Sequence, residues 1–225
     1  MKLTNFADYM ENVKNIVFDF DGTLADTAPL IVAVMHETIR ELGLPELTDE
    51  QCRSTIGIRL EDVPAAMWPN SGMAGEKYAA TYRNIYFNRM KDRTAAKCFP
   101  GVLETLTALH QAGYGMAIAS SRSRRSLEEY VEQLGIAHYF AMLVGGGDVA
   151  HGKPAPDPVL TILQACGWRP DHTLTVGDAG VDILMGRAAG TATCAVTYGN
   201  GTPAELTATH PDYTIDSFPE LLRLI

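Results

Sequence analysis

Five short runs rich in apolar residues, the first of them without polar alternation, constrain the fold of this chain most strongly. They are Asn15 to Phe20, Tyr114 to Ser120, Ala141 to Gly146, Thr173 to Asp178 and Thr191 to Thr197. A strand that lacks polar alternation is covered on both faces, which is the condition of a parallel sheet with helices on each side. Helical patterns separate the later runs. In "RRSLEEYVEQLG" Leu127, Tyr130, Val131 and Leu134 share a face, and in "DPVLTILQACG" Leu160, Leu163 and Ala165 or Cys166 do so. Strand, helix, strand, helix predicts an α/β chain built on a parallel sheet.

One gap breaks that rhythm. More than 90 residues separate the first run from the second, far more than a single crossover helix requires. The gap opens with Ile31, Met35, Ile39 and Leu42 at helical spacing and closes with a second helical stretch through Tyr82, Tyr86 and Arg89. Only its end, "PGVLETLTALHQAG", has the form of the crossover helix, with Pro100 near the first turn and Gly113 as a stop. We therefore expect a discontinuous core, residues 1–26 and 96–225, with residues 27–95 inserted as a small α-helical cap. The expected core is a three-layer, Rossmann-like sandwich.

Composition excludes several classes of function. Of the 225 residues, 46% are hydrophobic and 20% charged, the balance of a folded globular chain. The net charge of -9 supplies no basic footprint for nucleic acid or for an anionic membrane surface. Lys2, Asp8, Glu11 and Lys14 interrupt the first 20 residues, and no segment has the roughly 18 apolar residues of a membrane span, so a cytoplasmic location is expected. Cys52, Cys98, Cys166 and Cys194 are too far apart for a CxxC or Cys/His zinc pattern and read as reduced thiols packed like small hydrophobes. No protein partner is evident.

The chemistry is concentrated at the ends of the runs. The first ends in Asp19 and Asp21, two carboxylates one residue apart, which is costly unless positive charge meets them. Residues two apart on a strand point to the same side, so the pair can converge before Gly22 and Thr23 turn the chain. In open parallel sheets the ligand crevice lies beyond the carboxyl ends of the strands. Ser120 and Asp178 end two other runs, and Lys153 in "GKPAPD" follows the third. Three carboxylates, a hydroxyl and an ammonium suit phosphoryl transfer: a carboxylate can attack phosphorus if a divalent cation offsets the repulsion. Asp19 and Asp178 are hard oxygen ligands for Mg²⁺, and Lys153 neutralises remaining charge. Ser120 and backbone N–H groups near Gly22 and Thr23 are candidate donors to phosphoryl oxygens. Asp21 is placed to protonate the leaving alkoxide and then to deprotonate water.

Together these residues resemble the haloacid dehalogenase-like hydrolases, and more narrowly their phosphoglycolate phosphatase-like branch. "DFDGTLADT" matches the DxDGT motif, Ser120 the hydroxyl motif, Lys153 in "GKPAPDP" the lysine motif and "GDAGVDILMGRAAG" the acidic motif. The order is kept over nearly the whole chain. The resemblance implies an aspartyl-phosphate on Asp19, and an acid–base role for Asp21, whose backbone carbonyl also reaches Mg²⁺. It further implies a direct or water-mediated metal contact from Asp178, and Asp182 tied to Lys153 or to metal-bound water. Thr23 is implied to orient Asp21 or the phosphoryl group. A cap closing over the site is implied too, with "STIGIRLEDV" as its substrate loop and Arg59 the group in it that meets a carboxylate or second phosphate. "GRAAGTATCAVTYGNG" and the closing "DYTIDSFPELL" resemble the same branch and are implied to build the core sheet.

The leading expectation is thus a Mg²⁺-dependent phosphatase acting on a small phosphorylated metabolite such as phosphoglycolate. β-Phosphoglucomutase resembles the chain as well, but has a valine where Thr23 stands and a cap histidine where Ile31 stands. A pyrophosphatase on the same fold is a further alternative. A phospho-accepting receiver gathers similar groups, yet the large insertion and the DxD spacing argue against it. A catalytically dead binding protein is disfavoured because every motif position is filled. In "SRSRRS", Arg122 is the best placed of three arginines to clamp a phosphate.

Overall fold

A computed structural model describes residues 12–90 and 96–225 of the chain. The expected domain limits at residues 1–11 and 91–95, with Lys2, Asp8 and Glu11, lie outside the described residues. Strand β1 (Asn15–Phe18) is followed by a two-residue strand β2 (Ala25–Asp26). Then come helices α1 (Ala28–Leu42), α2 (Asp49–Arg53), α3 (Val63–Met67) and α4 (Gly75–Ile85), the last running into one wider π-helical turn at Tyr86–Met90. After β3 (Lys97–Cys98) the chain alternates regularly. It forms α5 (Val102–Gln111), β4 (Gly115–Ala119), α6 (Arg124–Gln133), β5 (Met142–Val144), α7 (Asp157–Cys166), β6 (Thr173–Gly177), α8 (Gly180–Ala188), β7 (Ala192–Val196), α9 (Pro203–Ala208) and β8 (Tyr213–Ile215).

The six long-range strands form one parallel sheet in the order β5-β4-β1-β6-β7-β8. Because all pairs are parallel, every carboxyl end reaches the same edge. Phe18 is level with Ile118 on one side and Val176 on the other. The chain leaves β1 towards β4 and β5, then crosses back to β6, so β1 and β6 flank the point where the winding reverses, and a crevice opens there. Both faces of β1 are buried, as its lack of alternation requires: Ile16 and Phe18 join the core that includes Leu106, Leu127 and Phe218, whereas Val17 joins Val159, Ile162 and Met185.

Between β2 and β3 lie α1 to α4, which add no strand to the large sheet. They pack chiefly on each other through Met35, Ile39, Tyr78, Tyr82 and Ile85. Helix α1 has Pro29 in its first turn and ends on Gly43 at φ 63°, the left-handed stop that glycine adopts without a Cβ clash. The two chain segments that carry this insertion run side by side, Ala25 opposite Cys98 and Asp26 opposite Lys97, antiparallel.

Two expectations change. Helix α7 buries Val159, Ile162 and Leu163, while Leu160 is 44% exposed. The segment offers two overlapping apolar stripes, and packing on β4 and β5 selects the one through Val159. Cys98 and Cys166 are only partly buried, in contrast to Cys52 and Cys194. Among the described residues no helix is long and apolar enough to cross a membrane.

Candidate active site

Asp19 follows the last residue of β1, held in line by its N–H, which donates to the Val176 carbonyl of β6 at 2.8 Å. Its carboxylate is buried and accepts from the Lys153 ammonium. That lysine lies after β5, beside a cis peptide to Pro154, and also donates to Asp182 at 2.7 Å. Asp182 stands in the first turn of α8, where its second oxygen accepts the Ala179 N–H at 3.0 Å and so caps the helix. Asp178, just beyond β6, accepts from the Thr23 hydroxyl at 3.0 Å and the Asn200 N–H at 2.6 Å. Oxygens of Asp19, Asp178 and Asp182 come within 4.8 Å of one another.

Three buried carboxylates facing one ammonium leave an excess of negative charge. Burial and then Asp182 push Asp178 up to about 7. Burial likewise holds Asp19 well above the usual carboxylate range, against the pull of Lys153. Burial pulls the Lys153 ammonium down, but Asp182 and Asp19 more than offset this and it stays charged. Such a donor set, hard oxygens with unspent negative charge, fits a small divalent cation. Asp182 is tied to the Lys153 ammonium, so Asp19, Asp178, whose two oxygens accept from neutral donors, and the Asp21 carbonyl, which accepts from Asn200 Nδ2 at 3.4 Å, are the groups that could hold it.

Asp21 has a separate set of partners. Its carboxylate accepts from Thr27 Oγ1 at 2.5 Å and from Arg122 through Nε at 3.1 Å and Nη2 at 2.5 Å. Arg122 is itself 10% exposed and stacks over the Tyr130 ring, 4.5 Å from its centroid. Ser120 Oγ accepts the Arg122 N–H at 3.1 Å, which leaves the hydroxyl proton to be donated into the cavity that Asp19, Asp21 and Ser120 line together. The Ser121 hydroxyl donates to the Gly57 carbonyl at 2.6 Å and ties the inserted helices to this rim.

Three expected roles are not those the structure gives. The Gly22 N–H donates to the Ala25 carbonyl at 3.0 Å and is therefore spent inside the turn, not aimed at a phosphoryl oxygen. Glycine is required there for another reason: φ is 98°, and a Cβ would collide with the Asp178 carboxylate. Thr23 is fully buried and its hydroxyl goes to Asp178, so Thr27 orients Asp21 instead. Arg59 pairs with Asp62 at 3.3 Å and lies against Gly152, outside the cavity lining, because the loop turns its side chain towards the segment before Lys153.

Residues 16–196 match the family model described as haloacid dehalogenase-like hydrolase. The chain belongs to the haloacid dehalogenase-like hydrolases. It is 31% identical over 221 residues to a phosphoglycolate phosphatase of Vibrio parahaemolyticus, with 96% of this chain and 97% of that protein covered. A phosphoglycolate phosphatase of Salmonella typhimurium is 30% identical, with 96% and 93% covered. Among solved structures, a haloacid dehalogenase-like family hydrolase of Streptococcus pneumoniae superimposes with a TM-score of 0.82 at 26% identity, over 95% of this chain and 98% of that one. In this hydrolase Thr27 and Asn200 join the site beside the expected residues, and Arg122, expected as a phosphate clamp, is there but holds the Asp21 carboxylate instead. Thr27 had a local signal, a hydroxyl residue at the start of a helix six positions after Asp21; Asn200 had only its place in the "YGNG" turn after β7.

Proposed function

We propose that this hydrolase is a Mg²⁺-dependent phosphatase that cleaves a small phosphate monoester through an aspartyl-phosphate on Asp19. The observation that carries the reading is the convergence of Asp19, Asp21 and Ser120 on one cavity at the carboxyl edge of the sheet, with the Lys153 ammonium on the Asp19 carboxylate. Asp19 attacks phosphorus as the ester P–O bond breaks. Asp21 delivers a proton to the leaving oxygen, then takes one from the water that attacks the phosphorylated carboxylate, and phosphate leaves with Asp19 restored. Ser120 and Lys153 hold phosphoryl oxygens, and Asp182 positions Lys153. Bound Mg²⁺ supplies the charge neutralisation that lets a carboxylate approach a phosphoryl group. The inserted helices are the cap, carried on the β2–β3 pair, and exclude water from the cavity.

Phosphate release from 2-phosphoglycolate, pyrophosphate, sugar phosphates and nucleoside monophosphates tests this. We expect release with Mg²⁺ and none with EDTA; no release from any of them overturns the reading. Mg²⁺ at 100 times its Kd should also add about 2.7 kcal/mol of stability, since it binds only the folded site. For a chain of this size that raises Tm by roughly 5–10 °C, and an unchanged Tm would count against a cation site here. Thr27→Val removes the neutral partner of Asp21 and should lower kcat roughly 10- to 100-fold with KM little changed, because only the reacting geometry loosens. Steady-state kinetics on the preferred ester decide it.

A further inference from the structure

The last turn of α4 and the π-helical turn that follows it set Tyr82, Arg83, Tyr86 and Phe87 along the cavity that holds Asp19 and Ser120. Residues four apart on a helix share a face, so the one cation of this stripe is fixed on the same wall as the aromatic rings. Arg83 is oriented from 22 positions away by Glu61, whose Oε1 accepts from Nη2 at 2.6 Å. A guanidinium carries five N–H donors. Glu61 occupies Nη2 alone, and Nε and Nη1 have no acceptor among the described residues. The side chain is 42% exposed, so a ligand in the cavity can reach it without displacing packed protein.

The other cations near the site are committed elsewhere. Arg122 lines the cavity too, but gives Nε and Nη2 to Asp21 and Nη1 to Ser126. Arg59 is turned to Asp62 and lies against Gly152, outside the lining. Lys153 joins Asp19 to Asp182. Hydroxyls of Thr55, Tyr82, Ser121, Ser123 and Ser126 also line the space; being neutral, they suit any polar alcohol and do not select a charged one. Discrimination by charge therefore falls to Arg83. It shares its charge with Glu61, and Asp19 and Asp21 lie in the same cavity, so a group with one negative charge matches it better than a second phosphate with two.

We propose that Arg83, positioned by Glu61, is the specificity-determining residue of this site and donates to a carboxylate on the leaving alcohol. This rests on the phosphatase reading above. The test is kcat/KM with Mg²⁺ for 2-phosphoglycolate and its longer ω-carboxyalkyl homologues. Each is set beside the neutral alkyl phosphate and the diol bisphosphate of the same chain length. At the best length the carboxylate ester should exceed its neutral counterpart roughly tenfold or more, which is what one charge-assisted hydrogen bond contributes, and should exceed the bisphosphate as well. Arg83→Met should cut the carboxylate-to-neutral ratio roughly tenfold or more. If Arg83 only braced the inserted helices against Glu61, both esters would fall together; an unchanged ratio therefore overturns the proposal. So does a wild type that favours the neutral esters or the bisphosphates, and in either case the phosphatase stands. Release from none of the esters overturns both readings. Because each ratio is taken on one protein sample, partial loss of folding cannot imitate it. Should Arg83→Met not fold, Arg83→Gln, which keeps a donor without the charge, is read against the same expectation.

Discussion

Asp19→Asn is expected to abolish turnover, by roughly 10⁴-fold or more, and to eliminate trapping of a phosphoenzyme, because it removes the carboxylate oxygen proposed as the nucleophile at phosphorus. The same change should leave the metal-free protein as stable as before or stabilise it. Asp19 is buried with Asp178 and Asp182 around a single ammonium, and its carboxyl is held above the ordinary range even though Lys153 attracts it. A carboxyl raised on folding contributes stability below its unfolded value and loses it as pH rises through the folded one, so at pH 8 the ionised group opposes folding. Asparagine mimics the neutral form, and Lys153 keeps Asp182 as partner. Thermal unfolding in EDTA at pH 8 should show Tm unchanged or raised, and the advantage over wild type should shrink at pH 5. A drop of several degrees at pH 8 would mean that the Lys153 pair outweighs the crowding of carboxylates. Residual phosphate release near the wild-type rate would remove Asp19 from the chemistry altogether.

The sheet was legible because β1, β4, β6 and β7 are almost wholly buried and rich in apolar residues of their own, whereas β5, at the sheet edge, is only partly buried. Strand β8 has three residues, one of them exposed, and holds its place through β7, so its own residues say little. Asp19, Ser120 and Asp178 were legible for a related reason: each directly follows the last residue of a strand, where local sequence fixes position. What was not legible depends on distant segments meeting. Arg122 reaches Asp21 across 101 positions and Asn200 reaches it across 179, and no local pattern contains either distance. Thr23 and Thr27 are alike in sequence, and which of them serves Asp21 follows from the turn at Gly22, which swings the first hydroxyl to Asp178. Arg59 shows the limit most plainly. A cation in a substrate loop reads as a ligand, but the presence of Asp62 three residues on and of the open backbone at Gly152 gives it somewhere else to go.

Lys153→Met is the change expected to cost the most stability. The ammonium is 1% exposed and joins two carboxylates that are themselves 5% and 1% exposed, so methionine fills the space but leaves both acids facing each other and Asp178 without compensation. Breaking a buried pair in this way costs about 3–5 kcal/mol, or roughly 6–20 °C in Tm for a chain of this length. The loss is electrostatic in origin and so depends on conditions in a way that a packing defect does not. At pH 5 the crowded carboxylates can take up protons and the deficit should narrow; at pH 8 it should be largest. Mg²⁺ supplies positive charge at the same cluster, so the Tm increase it produces should be larger in the variant than in wild type. Turnover should stay absent in either case, because the phosphoryl group loses the ammonium that neutralises it. A Tm deficit equal at pH 5 and pH 8 and indifferent to Mg²⁺ would assign Lys153 to packing alone, and the balance of three acids against one base would no longer account for the site.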